Sequence, residues 1–336
     1  MSQISEKAAA VSSGLTGVIQ LPPVKNSSAR RIFIGPNGLR AVWRLLIFAA
    51  LFGGLFAGTT LMRFGGPQGV RDAQRNLGQT IHTPFFMSKS EAIAFLLLCV
   101  VTLIMGKIEG RKFSEYGLSL RQALRKDFWV GSLIGFLTIS GTLFTMFLFH
   151  GFRVTGLALH GATILSSVLE WGITFLIVGL CEEFMDRGYL QYTLAAGIGF
   201  WPAAFVTSGL FAAGHIFNAN ETRLGVAAVV LFGLLLCLFL RRTGNLWCAV
   251  GFHMGYDWGQ TFFYGVPNSG IAPYHNLLNS TFSGPRWLTG GIVGPEASVL
   301  TPIALLVVGL AFSRYYRENR YPILKTGSSP VAVTAS

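Results

Sequence analysis

Charge is scarce in this sequence. Only 12% of its 336 residues are Asp, Glu, Lys or Arg, about half the ~25% of soluble domains, and Asp and Glu together number 14. That excludes an ordinary soluble enzyme and a charge-rich disordered regulator. The four cysteines, Cys99, Cys181, Cys237 and Cys248, form no CxxC pair, which leaves neither a zinc ribbon nor a disulfide framework. Internal repeats are also missing, which argues against a secondary transporter made of two homologous halves. Residues 1–39 lack the short apolar core of a cleaved signal peptide.

What the chain has instead is apolar surface: 51% hydrophobic residues and a mean hydropathy of +0.54. A helix needs about 20 mostly apolar residues to cross a bilayer. Eight stretches approach this, at 41–62, 91–106, 128–150, 163–190, 198–217, 224–240, 246–264 and 297–313. The second is short and the seventh is polar. The expected fold is all-α, a polytopic membrane helix bundle of about eight transmembrane helices.

The formal charge of +12 does not imply nucleic acid, because the basic residues cluster at the ends of apolar runs. Arg40 and Arg44, the run from Lys107 to Lys126, Arg241 with Arg242, and Arg314 to Lys325 fall on one side of eight spans. The positive-inside rule then predicts a cell-membrane protein with both termini cytoplasmic. Arg63, Arg71, Arg75 and Lys89 blur the pattern from the other side. The expected organisation is a flexible cytoplasmic tail over 1–39, three helices over 40–160, and a four-helix core over 161–264. An extracytoplasmic loop over 265–296, a last helix over 297–314 and a cytoplasmic tail over 315–336 complete it. The loop, with His275 and Trp287-Leu288-Thr289-Gly290-Gly291, reads as a packed cap rather than a mobile lid.

Ionisable residues inside spans are costly and mark function by default. Here they concentrate in three of the eight stretches: Glu170, Glu182, Glu183, Asp186 and Arg187, then His215, then His253 and Asp257. Glu183 and Arg187 are four apart and pair on one helix face. Glu182 lies about 100° round the helix and has no cation at that spacing, which suits proton transfer; a structural ion-pair network at a helix end is the other reading. His215 reads either as a hydrogen-bonded interfacial residue or as part of a site. His253 and Asp257 share a face, where the acid can orient the ring for structure or for chemistry. The stretch Gly197-Ile198-Gly199-Phe200-Trp201-Pro202 is a credible reversal point. Sixteen residues on either side, about 24 Å down and back, would return Glu182 and His215 to one depth. His253, about eight residues into its helix, matches less well.

Taken in order, Glu182-Glu183-x-x-x-Arg187, Phe211-x-x-x-His215 and His253-x-x-x-Asp257, with the lead-in Arg242-Thr243-Gly244-Asn245-Leu246-Trp247, resemble the CPBP (Abi) family of intramembrane endopeptidases. That family includes the type II CAAX prenyl endopeptidases. The resemblance covers about residues 165–260 and makes 161–264 the expected catalytic core. It implies that Glu182, with His215, activates a water to attack a peptide carbonyl. It further implies that His253 and Asp257 stabilise the oxyanion, and that Glu183 and Arg187 fix the helix. Asp186 stands where the family has an aromatic or apolar residue, and Asp257 where many relatives have Asn. No obligatory metal is expected, since His-Glu-x-x-His is absent; a divalent ion such as zinc on Glu182, His215 and His253 is the alternative.

The implied partners are the bilayer and a membrane-embedded or lipid-anchored protein or peptide substrate, with no nucleic acid. A rhomboid-like serine site is not supported, because Val206 stands where Gly-x-Ser-Gly needs glycine before Ser208-Gly209. A presenilin-like pair lacks its Gly-x-Gly-Asp. A non-catalytic scaffold or bacteriocin-immunity-type protein of the same fold is the alternative function, and a transporter the third. The end of the chain, Val331–Ser336, has no lipidation cysteine, so the chain is not expected to be its own CAAX substrate.

Overall fold

The structure, a computed structural model, describes residues 33–35, 38–76, 83–218 and 220–321. Most of the expected tails over 1–39 and 315–336 lies outside these residues. Each of the eight expected spans is helical. After a two-residue ladder of β1 (Ile34–Gly35) and β2 (Gly38–Leu39) come α1 (Ala41–Arg63), α2 (Pro67–Asn76), α3 (Pro84–Glu109) and α4 (Lys126–Leu148). Then follow β3 (Phe152–Leu157) and α5 (Thr163–Glu183), which runs through a π-helical turn at Phe184–Leu190 into α6 (Gln191–Ile198). Next are α7 (Phe200–His215), α8 (Arg223–Thr243) and α9 (Trp247–Trp258), the last extended by a π-helical turn at Gly259–Phe263. The chain closes with β4 (Leu278–Phe282), α10 (Arg286–Thr289) and α11 (Leu300–Tyr315). Five helical stretches are long and apolar enough to cross a membrane: α1, α3, α4, α5–α6 and α8. The others are shorter.

The boundaries follow local chemistry. Thr83 caps α3 by accepting from the Phe86 N–H, with Pro84 at the first helical position where no donor is missed. This cap makes α3 26 residues long rather than the short 91–106 span read from hydropathy. The reversal expected near 197–202 occurs at Gly199, whose φ of +86° favours glycine. Asn245 explains the lead-in to α9: its Oδ1 accepts from the Trp247 N–H at 2.9 Å, and its Nδ2 donates to Asp127 of α4 at 2.9 Å.

One end of the bundle gathers the basic segments. Arg44 of α1 pairs with Glu109 of α3 at 2.8 Å. The Leu246 N–H donates to the Gly117 carbonyl, and the Arg320 N–H to that of Arg241. Tyr321 packs on Phe200 at the α6–α7 turn, with ring centroids 4.7 Å apart. At the far end, β3 and β4 form an antiparallel ladder, and the Trp171 indole donates to the Tyr274 carbonyl at 2.9 Å. The 265–296 segment is thus a packed structure containing β4 and α10.

Helices α4 and α9 pack backbone against backbone. Gly131 and Gly135 face Gly251 and Gly255, two small-x-x-x-small pairs that let helix backbones touch in a membrane. A Cβ at Gly131 would lie 2.1 Å from the Cys248 carbonyl oxygen, and one at Gly255 2.1 Å from that of Ser132. Gly135 and Gly251 are equally confined by the carbonyls of Phe252 and Phe128. Gly255→Ala therefore overpacks this seam, at a cost of about 1–3 kcal/mol or more. Gly141→Ala, on α4 with nothing within 4 Å of the added carbon, is expected to be neutral or stabilising. Thermal unfolding of the two variants in detergent checks this: the melting temperature falls for the first only.

Candidate functional site

Helices α5, α7, α8 and α9 meet around a buried carboxylate. Glu183 is fully buried, and its Oε1 accepts from Arg187 Nη1 at 3.2 Å and from His253 Nδ1 at 2.8 Å. The i,i+4 pair expected from the spacing is therefore formed. Arg187 is fully buried too. Its guanidinium lies over the Phe211 ring of α7, 4.4 Å from the centroid. It fits because position 233 of α8 is glycine: a Cβ there would come within 2.6 Å of Arg187 Nη2.

Because a carboxylate holds Nδ1, that nitrogen of His253 carries the hydrogen. The other nitrogen, Nε2, lies 3.6 Å from Glu182 Oε2 and 3.5 Å from Asp257 Oδ2. One imidazole thus stands among three carboxylates. Glu182 has no cation on its own helix, as expected, and meets His253 from α9. His215 sits otherwise. Its Nδ1 is 2.9 Å from the Phe211 carbonyl and must donate to it, which leaves the Nε2 lone pair for other partners. No hydrogen bond joins His215 to Glu182; the Phe211 ring packs against both imidazoles, 4.6 Å from His215 and 6.3 Å from His253.

Glu182, Asp186, His215, His253 and Asp257 line one cavity of about 1420 Å³. The sequence-predicted residues are therefore brought together, with Glu183 and Arg187 behind them. Glu170 lies apart, exposed on α5. Two further carboxylates line the same cavity and were missed by sequence reasoning: Glu91 of α3 and Glu296 of the far-end cap. Glu91 stands at the edge of the 91–106 span that hydropathy predicts, where a charge is unremarkable. The true helix begins seven residues earlier and makes Glu91 an intramembrane acid, the signal that could have found it. The cap segment Asn268–Tyr274 also forms part of the wall.

Among the described residues no group of three or more His, Cys, Asp or Glu is arranged to hold a metal ion. Of the candidate ligands, His253 is held at Nδ1 by Glu183 at 2.8 Å and His215 at Nδ1 by the Phe211 carbonyl at 2.9 Å, and no hydrogen bond joins His215 to Glu182 or His253.

Two outcomes follow from the site's construction. Removing one partner of a buried pair strands the other charge and costs about 3–5 kcal/mol, so Glu183→Ala should strongly lower the unfolding temperature, whereas Glu182→Gln, at the partly exposed cavity wall, should not. The second concerns Glu296 in the cap. Burial, and then the Asp257 charge, lift its carboxyl from about 4.5 to about 8, against the hydrogen bonds from Gln260 and the Ser269 N–H. The folded state then keeps a proton that the unfolded state has lost between those values, so stability falls as pH rises from about 4.5 to about 8. Melting curves across that range should show this slope, and Glu296→Gln should flatten it.

No curated protein matches the chain. Residues 164–259 match the Rce1-like family, described as type II CAAX prenyl endopeptidase Rce1-like. The matched stretch spans α5 to α9 and contains Glu182, Glu183, Arg187, His215, His253 and Asp257. Residues 164–259 thus form an Rce1-like domain within a multi-pass chain that has five helical stretches long and apolar enough to cross a membrane.

Proposed function

We propose that the protein is an intramembrane endopeptidase in which Glu182 activates water. The observation that carries this reading is the convergence of Glu182, His215, His253 and Asp257, from three helices, on one cavity wall. Glu182 takes a proton from a water molecule while the water oxygen attacks the scissile carbonyl carbon. His215 Nε2, whose lone pair is left by the Phe211 bond, helps to orient that water. His253, protonated at Nε2 as well as Nδ1, donates to the developing oxyanion, and Asp257 beside it stabilises that imidazolium; such a fixed donor is commonly a large catalytic contribution. The C–N bond then breaks, and the proton held by Glu182 passes to the leaving amine. Glu183 and Arg187 act as positioning residues, holding His253 through Nδ1.

The substrate in this reading is a membrane-embedded or lipid-anchored polypeptide, prenylated proteins being the class in the family's description. The cavity exceeds the roughly 300–1,000 Å³ of small-molecule sites, which suits a stretch of chain. The basic end of the bundle, with both termini, faces the cytoplasm of a cell membrane by the positive-inside rule.

Mass spectrometry of membrane-protein termini tests the proposal, in cells carrying the wild type or Glu182→Gln at equal expression. Wild-type-specific peptide ends, reduced about 10²-fold or more in the variant, are expected. Unchanged ends, with a null phenotype rescued by Glu182→Gln, would instead identify a non-catalytic scaffold or immunity-type protein.

A further inference from the structure

The cavity is one-sided. Its described lining includes Met87 at the start of α3, Trp171 near the start of α5, Phe217 just past α7, and the cap segment Gly270–Tyr274. All of these lie at the far end of the bundle or in its outer half. Phe217 is 90% exposed. Towards the basic end the described lining stops at Leu190 and Leu210. Beyond that level Tyr116, Tyr189, Tyr192, Phe200 and Tyr321 close the bundle in continuous ring contact. Tyr116, Tyr189 and Tyr192 are fully buried.

The charge distribution says which end is which. Segments joined to the basic end carry 18 of the 26 Lys and Arg and those joined to the far end seven, with Arg187 buried between. The direct contacts of Arg44 with Glu109, Leu246 with Gly117 and Arg320 with Arg241 show that the basic segments share one end. Such an excess marks the cytoplasmic side.

We propose that substrate reaches Glu182 from the extracytoplasmic side, past the Asn268–Tyr274 cap, so that the cleaved bond belongs to an extracytoplasmic segment of a membrane-anchored polypeptide. The wall there is apolar, with Met87, Trp171, Phe217, Ile271, Pro273 and Tyr274, which favours an apolar, membrane-adjacent segment over a charged one. A lipidated C-terminus presented from the cytoplasm would meet the aromatic closure instead. The assignment rests on the endopeptidase reading above.

Single cysteines and a bulky membrane-impermeant maleimide test it in intact cells. Ala272→Cys sits in the cavity wall, Thr281→Cys is exposed at the far end off the cavity, and Leu120→Cys is exposed at the basic end. The native cysteines, three buried and Cys99 partly so inside α3, set the background. Ala272→Cys and Thr281→Cys should label without permeabilisation and Leu120→Cys only after it; the reverse pattern overturns the proposal. Labelling Ala272→Cys should then reduce wild-type-specific peptide ends at least tenfold and labelling Thr281→Cys should not, with those ends mapping to extracytoplasmic segments. Ends that map to cytoplasmic segments overturn it as well. A complete lack of wild-type-specific ends defeats the endopeptidase reading instead, and the labelling pattern still reports the side on which the cavity opens.

Discussion

Everything in the site hangs on one oxygen atom. Glu183 Oε1 accepts from Arg187 in the π-helical turn after α5 and from His253 on α9, so one carboxylate ties two helices that are 70 residues apart in sequence. A charge held in a dry interior is costly unless its partners are fixed and its lone pairs filled. Arg187 is placed by Glu183 Oε1, by the Phe211 ring and by the gap that Gly233 leaves, although its Nε and Nη2 and Glu183 Oε2 have no hydrogen-bond partner among the described residues. Phe211 in turn carries the carbonyl that orients His215. The orientation of both histidines thus traces back to a residue that does not face the cavity.

The support behind α9 is of a different kind. Four glycines let the α4 and α9 backbones meet, and carbonyl oxygens form the contact. A seam of this sort is stiff, because no side-chain rotamer can absorb a displacement. In α5 a π-helical turn begins at Phe184, just after Glu183, and carries Asp186 and Arg187; in α9 one begins at Gly259, two residues after Asp257. Such turns are frequent at functional sites. In α5 the turn holds a kink at Gly188, where ψ is −114°. Regular helix therefore presents Glu182, Glu183, His253 and Asp257, and the irregular backbone lies immediately beyond them.

Much of this was legible before any coordinates. Apolar runs fell on helix at each of the eight stretches, five of which lie in helices long enough to cross a membrane, and the i,i+4 rule found Glu183–Arg187 and His253–Asp257. The glycine and proline cluster at 197–202 placed the reversal. Counting residues along straight helices matched the depth of His253 less well, yet its Nε2 stands 3.6 Å from Glu182. The α4–α9 seam was written in the sequence as two small-x-x-x-small pairs but was hidden among 41 glycines. Glu91, Glu296 and Asn268–Tyr274 lay beyond sequence reasoning for a simpler reason: they join the cavity from segments far apart in the chain, through pairings such as Trp171 with Tyr274 that no periodicity encodes.

The aromatic closure at the basic end has a consequence for the membrane itself. A hydrolase buried in a bilayer must admit water to its reactive groups, and a polar, hydrated shaft through the full thickness would conduct ions and dissipate the transmembrane potential. Here the described cavity lining stops at Leu190 and Leu210 towards the basic end. The packed tyrosine and phenylalanine rings stand between the cavity's carboxylates and that end, the arrangement that an intact permeability barrier requires.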